Sequence, residues 1–247
     1  MTKKANGTVH AITLSNIKYG DTSLIAACYT LEYGLQSYML KGILTAKGKK
    51  KISKSLFEPL SLLELQAPEN PENRLGYIQE AKLYHAYSSI PYDLSKKALV
   101  FFLAEVLHQV VKEEQDANPP LFQFIKKNLL WLDTQNKLSL FHIKMMLDLT
   151  QYIGFSPNIS SPEAPYFDME SGCMSFVKPK GPFLEAALKN YWLKILGMDF
   201  DKVGTIQLQK NDKIDLLKKV ITYFELHLQQ FKPPKSTEIL NEVFKNP

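Results

Sequence analysis

Apolar and polar positions change rhythm once along this chain of 247 residues. Up to residue 84 they alternate in short runs, the two-residue period of half-buried strands. Thr8 to Ile17 is rich in β-formers, and Tyr19-Gly20-Asp21 after it is a turn signal. Ser23 to Thr30 predicts a second strand, Glu32-Tyr33-Gly34 a turn, and Leu35 to Leu40 a third strand. Leu56 to Leu65 predicts a fourth strand with Pro59 near its start, which favours a sheet edge. Ala67 to Asn73 reads as a polar turn, and Leu75 to Tyr84 as a fifth strand running into a helix. Short strands at such spacing, with tight turns, describe a small barrel or sandwich.

Beyond that the period lengthens. Leu94 to Asp116 carries Ala98, Phe101, Phe102, Val106 and Val110 in a helical rhythm, ended by Asn118-Pro119-Pro120. Leu121 to Leu132 and Leu138 to Ile153 predict two more helices, the second stopped by Gly154 and Pro157. Residues 155–180 are rich in Pro and Gly and read as irregular. Helices are expected again over Pro182 to Leu196, Lys213 to Gln230 and Ser236 to Val243.

Charge divides the chain at a similar place. Residues 1–60 carry nine Lys against three acids, a net of +6, and the remainder carries a net of −1. Six of the Lys (41, 47, 49, 50, 51 and 54) lie between Lys41 and Lys54, where there is no acid. A cationic loop on a small β domain points to a polyanion. Lys supplies phosphate contacts that ignore sequence. Arg, suited to reading bases, occurs once, as Arg74. Tyr19, beside Lys18 at a turn, is the best candidate for an exposed stacking ring. Two Cys give no disulfide framework and fit a reducing compartment. The first ten residues show no secretory pattern, and no apolar run reaches the roughly 20 residues of a membrane span.

Catalytic constellations are not visible. No two of His10, His85, His108, His142 and His227 have metal-site spacing, and there is no phosphate-cradling Gly loop. A non-enzymatic protein without cofactor or metal is expected.

Four segments carry a family likeness. The first is Ala11 to Ile25, with Tyr19-Gly20-Asp21 between two strands. The second is Tyr38-Met39-Leu40-Lys41-Gly42, followed by the basic residues and Leu56-Phe57-Glu58-Pro59-Leu60. The third runs from Leu121-Phe122 to Tyr152-Ile153-Gly154-Phe155-Ser156-Pro157. The fourth is His227-Leu228, then Pro233-Pro234-Lys235-Ser236 and Ile239-Leu240. In this order they resemble the bacterial recombination mediator family RecO.

The resemblance implies an α+β multidomain chain. A five-stranded OB-fold barrel (1–84) would be followed by an all-helical domain (85–247) with an irregular, zinc-finger-like insertion at 155–180. Many family members hold zinc there with four Cys. This chain has only Cys173 between Asn158 and Lys180, so the insertion is expected to lack metal. The implied function is DNA repair and homologous recombination. The protein would bind single- and double-stranded DNA, anneal complementary strands, and help load recombinase with RecR. The implied location is the bacterial cytoplasm, at the nucleoid. The expected DNA-binding residues are Lys18, Tyr19, Lys41, Lys47, Lys49, Lys50, Lys51 and Lys54. A second implied partner is the acidic, apolar C-terminal tail of the single-strand-binding protein, with Lys144 as first candidate and Lys126 and Lys127 behind it. The alternative reading is an OB-fold RNA-binding module joined to a helical protein-interaction domain.

Overall fold

The computed structural model describes residues 6–45, 52–68, 75–114, 116–136 and 138–245. The chain forms two compact units, residues 1–134 with 234–236, and residues 135–233 with 237–247. The first unit thus takes in two helices beyond the strands.

In the first unit, β1 (Asn6–Tyr19), β2 (Ser23–Thr30) and β3 (Gly34–Leu40) form an antiparallel meander, and β4 (Leu62–Pro68) pairs with the other edge of β1. Leu75 to Tyr84, expected as one strand, supplies two: β5 (Gly76–Tyr77) and β6 (Glu80–His85). They complete a six-stranded sheet in the order β5-β3-β2-β1-β4-β6. β5 pairs parallel with β3 through Tyr38↔Gly76 and Met39↔Tyr77, while β6 pairs antiparallel with β4. One short chain segment thus bonds both ends of the sheet, and the sheet curls on itself. Val9, Ala11, Leu24, Ala26, Cys28, Tyr38, Leu63 and Leu65 fill the inside.

The fourth strand begins later than its apolar run. Residues Lys54–Phe57 make a 3-10 turn, with the Ser53 hydroxyl accepting from the Ser55 amide at 3.4 Å. Leu60 then takes a left-handed conformation, with φ of 58°. Its amide donates to Thr13 O at 2.7 Å, its carbonyl accepts from the Tyr87 hydroxyl at 2.7 Å, and its side chain is buried. Bonds on both backbone groups hold a conformation that Leu rarely adopts.

α1 (Leu94–Glu113) and α2 (Pro119–Thr134) pack with this sheet. The Tyr29 ring lies 6.0 Å from Phe122, and its hydroxyl donates to Asn118 O at 3.2 Å. The turn into α1 is organised by Asp133. Its carboxylate accepts from the Ser88 amide (2.7 Å) and hydroxyl (2.8 Å), the Ser89 amide (2.9 Å) and hydroxyl (3.1 Å), and the Ile90 amide (3.0 Å). Buried Lys96 donates to Ser89 Oγ at 2.6 Å and to the Asp133 carbonyl at 3.0 Å.

The second unit contains α3 (Phe141–Leu149), α4 (Ala186–Leu196), α5 (Lys210–His227), α6 (Thr237–Lys245) and a small sheet on which α4 packs. The stretch expected to be irregular contains β7 (Tyr166–Asp168) and β8 (Cys173–Ser175), and β9 (Phe183–Glu185) completes a three-stranded sheet in the order β8-β7-β9. Three-residue strands between Pro and Gly are too short to show a period. Rings fasten this sheet to α5. Phe167 lies 5.5 Å from Trp192 and 6.0 Å from Tyr223, and His227 stacks on Phe155 at 5.2 Å. The His227 Nε2 is also 2.9 Å from Met169 O.

The Asp133 node sets a pH dependence. Burial by itself raises the Asp133 carboxyl, but the hydrogen bonds donated by Ser88, Ile90 and Ser89 outweigh it and hold the group well below the usual carboxylate range. A depressed pKa contributes stability that is present above about pH 4 and is lost as the pH falls further. Asp133→Asn turns an acceptor oxygen into a donor facing donors. It should cost about 1–3 kcal/mol at pH 7, and the deficit should shrink below pH 4. Urea denaturation of both proteins at pH 7 and pH 3.5 measures this.

Candidate nucleic-acid interface

The register of the curled sheet places a row of side chains across four strands. Ile17 pairs with Ile25, Ile25 with Met39, and Met39 with Tyr77. Directly paired residues share a face, and these face away from the core cluster. Tyr19 and Lys41 lie two residues beyond Ile17 and Met39, so alternation puts them on the same face. Ile17 is 62% exposed, Tyr19 56% and Tyr77 48%, whereas Ile25 is half-buried and Met39 buried between them. At about 4.8 Å per strand, the row spans roughly 14 Å.

The same outer face is closed at its other end. Ile12 pairs with Tyr29 and Tyr29 with Leu35 across β1, β2 and β3; Ile12 and Tyr29 are buried and Leu35 is half-buried. α1 packs on β1 and β3, and α2 brings Phe122 to Tyr29. The helices therefore cover half of the face and leave the half with Tyr19 and Tyr77 open.

The basic segment leaves from this open half. The Leu44 amide donates to Thr22 O at 2.9 Å, and the Gly42 amide to Ser23 Oγ at 3.4 Å. These bonds tie the start of the loop to the β1–β2 turn. Gly42 has φ of 65°, which suits glycine in this tight exit. The Lys41 ammonium sits 4.7 Å from the centre of the Tyr77 ring. Lys54 is exposed at the start of the 3-10 turn. Lys47, Lys49, Lys50 and Lys51 lie outside the described residues. Lys18 is exposed, but it pairs with Leu24, so alternation directs it away from the face that carries Tyr19.

Tyr77 is the member of this face that sequence reasoning missed. It lies between Gly76 and Ile78 in the run expected as a fifth strand, and only pairing with β3 brings it beside Lys41. Ile17 read as an ordinary strand residue; its exposure shows only in the fold.

The lysines expected to meet a protein tail are placed differently from one another. Lys144 is 4% exposed, and its ammonium is 2.6 Å from Asp148 Oδ1. Lys126 is half-buried, with its ammonium 4.0 Å from the centre of the Tyr84 ring. Lys127 is exposed on α2. Elsewhere in the second unit, α3, α5 and α6 enclose a pocket lined by Ile214, Leu217, Leu240 and Phe244, with Lys210 and Lys213 among its walls. His142 also lines it. Burial and then the Lys213 charge hold that imidazole down at about 3, so it is neutral at physiological pH.

Burial pushes the Cys28 thiol up to about 12, which keeps it protonated inside the core. Among the described residues, no group of three or more His, Cys, Asp or Glu could hold a metal ion. Cys173 is half-buried, with its thiol donating to Ser171 O at 3.5 Å. No helix in the described residues is long and apolar enough to cross a membrane.

Two family models match the chain: recombination protein O, N terminal, over residues 5–87, and recombination protein O, C terminal, over residues 91–238. The chain belongs to the RecO family. It is 37% identical over 234 residues to the DNA repair protein RecO of Flavobacterium psychrophilum, covering 95% of this chain and 97% of the relative. For the DNA repair protein RecO of Christiangramia forsetii the identity is 36% over the same length and coverage. The DNA repair protein RecO of Bacteroides fragilis is 33% identical over 238 residues, covering 94% of this chain and 97% of the relative. RecO membership rests on nearly the whole chain, and the boundary between its two models falls in the turn organised by Asp133.

The Lys144–Asp148 pair also yields a test. Burial raises the Asp148 carboxyl, and the Lys144 hydrogen bond and charge pull it back. Lys144→Met removes the restraint, so the pKa of Asp148 should rise further. A raised pKa contributes stability below the unfolded value that is lost as the pH rises. The variant should be less stable than the parent by about 3 kcal/mol or more at pH 7. The gap should narrow towards pH 4, as Asp148 takes up its proton. Thermal unfolding across that range checks the sign.

Proposed function

We propose that this protein acts in DNA repair and homologous recombination as a non-enzymatic mediator. It binds single- and double-stranded DNA and anneals complementary strands. We read the curled sheet, residues 1–84, as an OB-type nucleic-acid-binding domain, and residues 85–247 as the helical part that meets protein partners. The observation that carries the reading is the open half of the outer sheet face. There Tyr19 and Tyr77 flank an apolar row, Lys41 lies against Tyr77, and the Lys-rich segment starts beside them.

The physical case is direct. Rings accept bases by stacking, whatever the sequence. Lysines neutralise phosphates and release counterions. A cationic surface that screens two phosphate chains lets them approach, and duplex stacking then drives annealing without a nucleotide cofactor. In this reading, RecR and the single-strand-binding protein are the partners, and recombinase is loaded on the DNA that results. In this reading the tail of the single-strand-binding protein lies on the surface of α3, α5 and α6, where Leu240 and Phe244 adjoin Lys210 and Lys213; the hollow there, about 30 Å³, does not by itself take a ring. Lys144 is already engaged by Asp148.

If about six phosphates are neutralised on a single strand, log K should fall with log salt at a slope of roughly −4. Replacing Lys49, Lys50 and Lys51 with Ala should flatten that slope and slow annealing for unrelated sequences alike. Tyr19→Ala and Tyr77→Ala should each weaken single-strand binding by about 1–3 kcal/mol and leave the slope unchanged. Fluorescence anisotropy over a salt series separates the two effects, and a slope near zero sinks the reading. Tighter binding of matched RNA than DNA, without annealing, would favour the RNA-binding alternative.

The tail assignment has its own measurement. A labelled acidic peptide ending in an aromatic residue should bind the full chain. Reversing Lys210 and Lys213 to Glu should weaken it about tenfold or more while DNA binding stays intact. Insensitivity to that change, with loss in Lys127→Glu, would move the site to α2.

A further inference from the structure

A second concave site lies in the first unit, away from the open face. It is a cavity of about 140 Å³ between β1, β4, β6 and α2. Tyr84 and Phe122 give it aromatic walls, and Leu31 and Leu62 line it with apolar surface. His10, Gln123 and Lys126 are its polar members. Phe122 and Leu62 are buried, whereas Tyr84 is half-exposed, so the site has a solid floor and an accessible side. Position is held on two sides. The His10 ring meets Tyr84 edge-on at 5.8 Å and is fixed by Glu32, whose Oε1 is 2.9 Å from Nδ1. Lys126 projects from α2 over the Tyr84 ring at 4.0 Å.

We infer that this cavity is a subsite for one unstacked pyrimidine base, with Lys126 receiving the adjoining phosphate. The inference rests on the nucleic-acid reading above and deepens it. Size favours the smaller ring: an enclosed cavity of roughly 150 Å³ admits benzene, so about 140 Å³ matches one six-membered ring better than a fused purine. Charge decides what the ring carries. The site offers a lysine beside apolar walls, and the carboxylate nearest its polar members is committed to His10. The Gln123 side chain is an amide with both donors and an acceptor, matching the mixed edge of a pyrimidine. Tyr19 lies nine positions beyond His10 along β1, about 30 Å of extended chain. A single strand that passes around the helices covering Ile12 and Tyr29 meets both sites. A duplex, whose bases stay stacked, uses only the open face. The subsite therefore discriminates single from double strands and pyrimidine tracts from purine tracts.

The test uses the full chain with thymidine and deoxyadenosine 5′-monophosphates, followed by saturation-transfer NMR, and with dT and dA oligomers, followed by anisotropy. Gln123→Trp plugs the cavity from an exposed helix position and spares the core; Lys126→Ala removes the cation. The expected result is binding of the thymidine monophosphate and not the purine, abolished by Gln123→Trp and weakened by Lys126→Ala. The dT oligomer should lose about tenfold in affinity in Gln123→Trp, while duplex binding is unchanged. Oligomer binding by the parent with no mononucleotide binding, or with equal loss for dT and dA, would overturn the subsite and leave the DNA reading standing. Absence of all oligomer binding would remove the DNA reading itself. A peptide ending in phenylalanine that displaces the thymidine monophosphate would assign the cavity to a protein partner and overturn the proposal.

Discussion

Asp133, in the last turn of α2, accepts five hydrogen bonds from the three residues that lead from the sheet towards α1. Backbone donors at such a turn have no strand or helix partner of their own, and leaving them bare in the interior is costly. One carboxylate satisfies three of them at once. Lys96, buried in α1, bonds the same Ser89 hydroxyl and the Asp133 carbonyl. The end of the sheet, the start of α1 and the end of α2 are thereby fixed to one another. Everything proposed for the outer face follows from this. The helices lie over Ile12 and Tyr29, so Ile17, Tyr19 and Tyr77 are left for a ligand.

Much of this was written in local patterns. The first three strands and the helical run after Leu94 follow from period and turn residues, and the elements observed agree to within a few positions; the third helix is shorter than its apolar run, ending at Leu149 with turns up to Gly154. The places where pattern misleads have local causes. Leu56 to Leu65 is apolar enough for a strand, yet Leu60 is bent by bonds to Thr13 and Tyr87, partners distant in sequence. The small sheet after Pro157 depends on rings supplied by α4 and α5. Gly172, with φ of 67°, sits so close to the Tyr223 hydroxyl that a Cβ would come within 2.8 Å of it. No reading of residues 155–180 alone contains that contact.

The interface was legible as chemistry and less so as geometry. The concentration of Lys between Lys41 and Lys54 announces a polyanion, and Tyr19 announces a ring beside it. Which side of the sheet each residue faces depends on the irregularity in β1 between Thr13 and Ser15, which changes the alternation so that Tyr19, and not Lys18, lies on the outer face. Lys144 illustrates the converse. On a helix pattern it looks like a surface cation, but Asp148, one turn later, draws it into the packed interior. A helical period shows which residues lie together and is silent on which of them water reaches.

β5 is only two residues long, and it carries Tyr77. It is also where the curled sheet meets its own far edge. A strand of nucleic acid lying from Tyr19 to Tyr77 would therefore cross the seam like a clasp, touching both sides of it. Any ligand that binds the joined form in preference to the parted one stabilises the join by the same free energy. If nucleic acid binds there, occupancy of the face and closure of the sheet are one equilibrium.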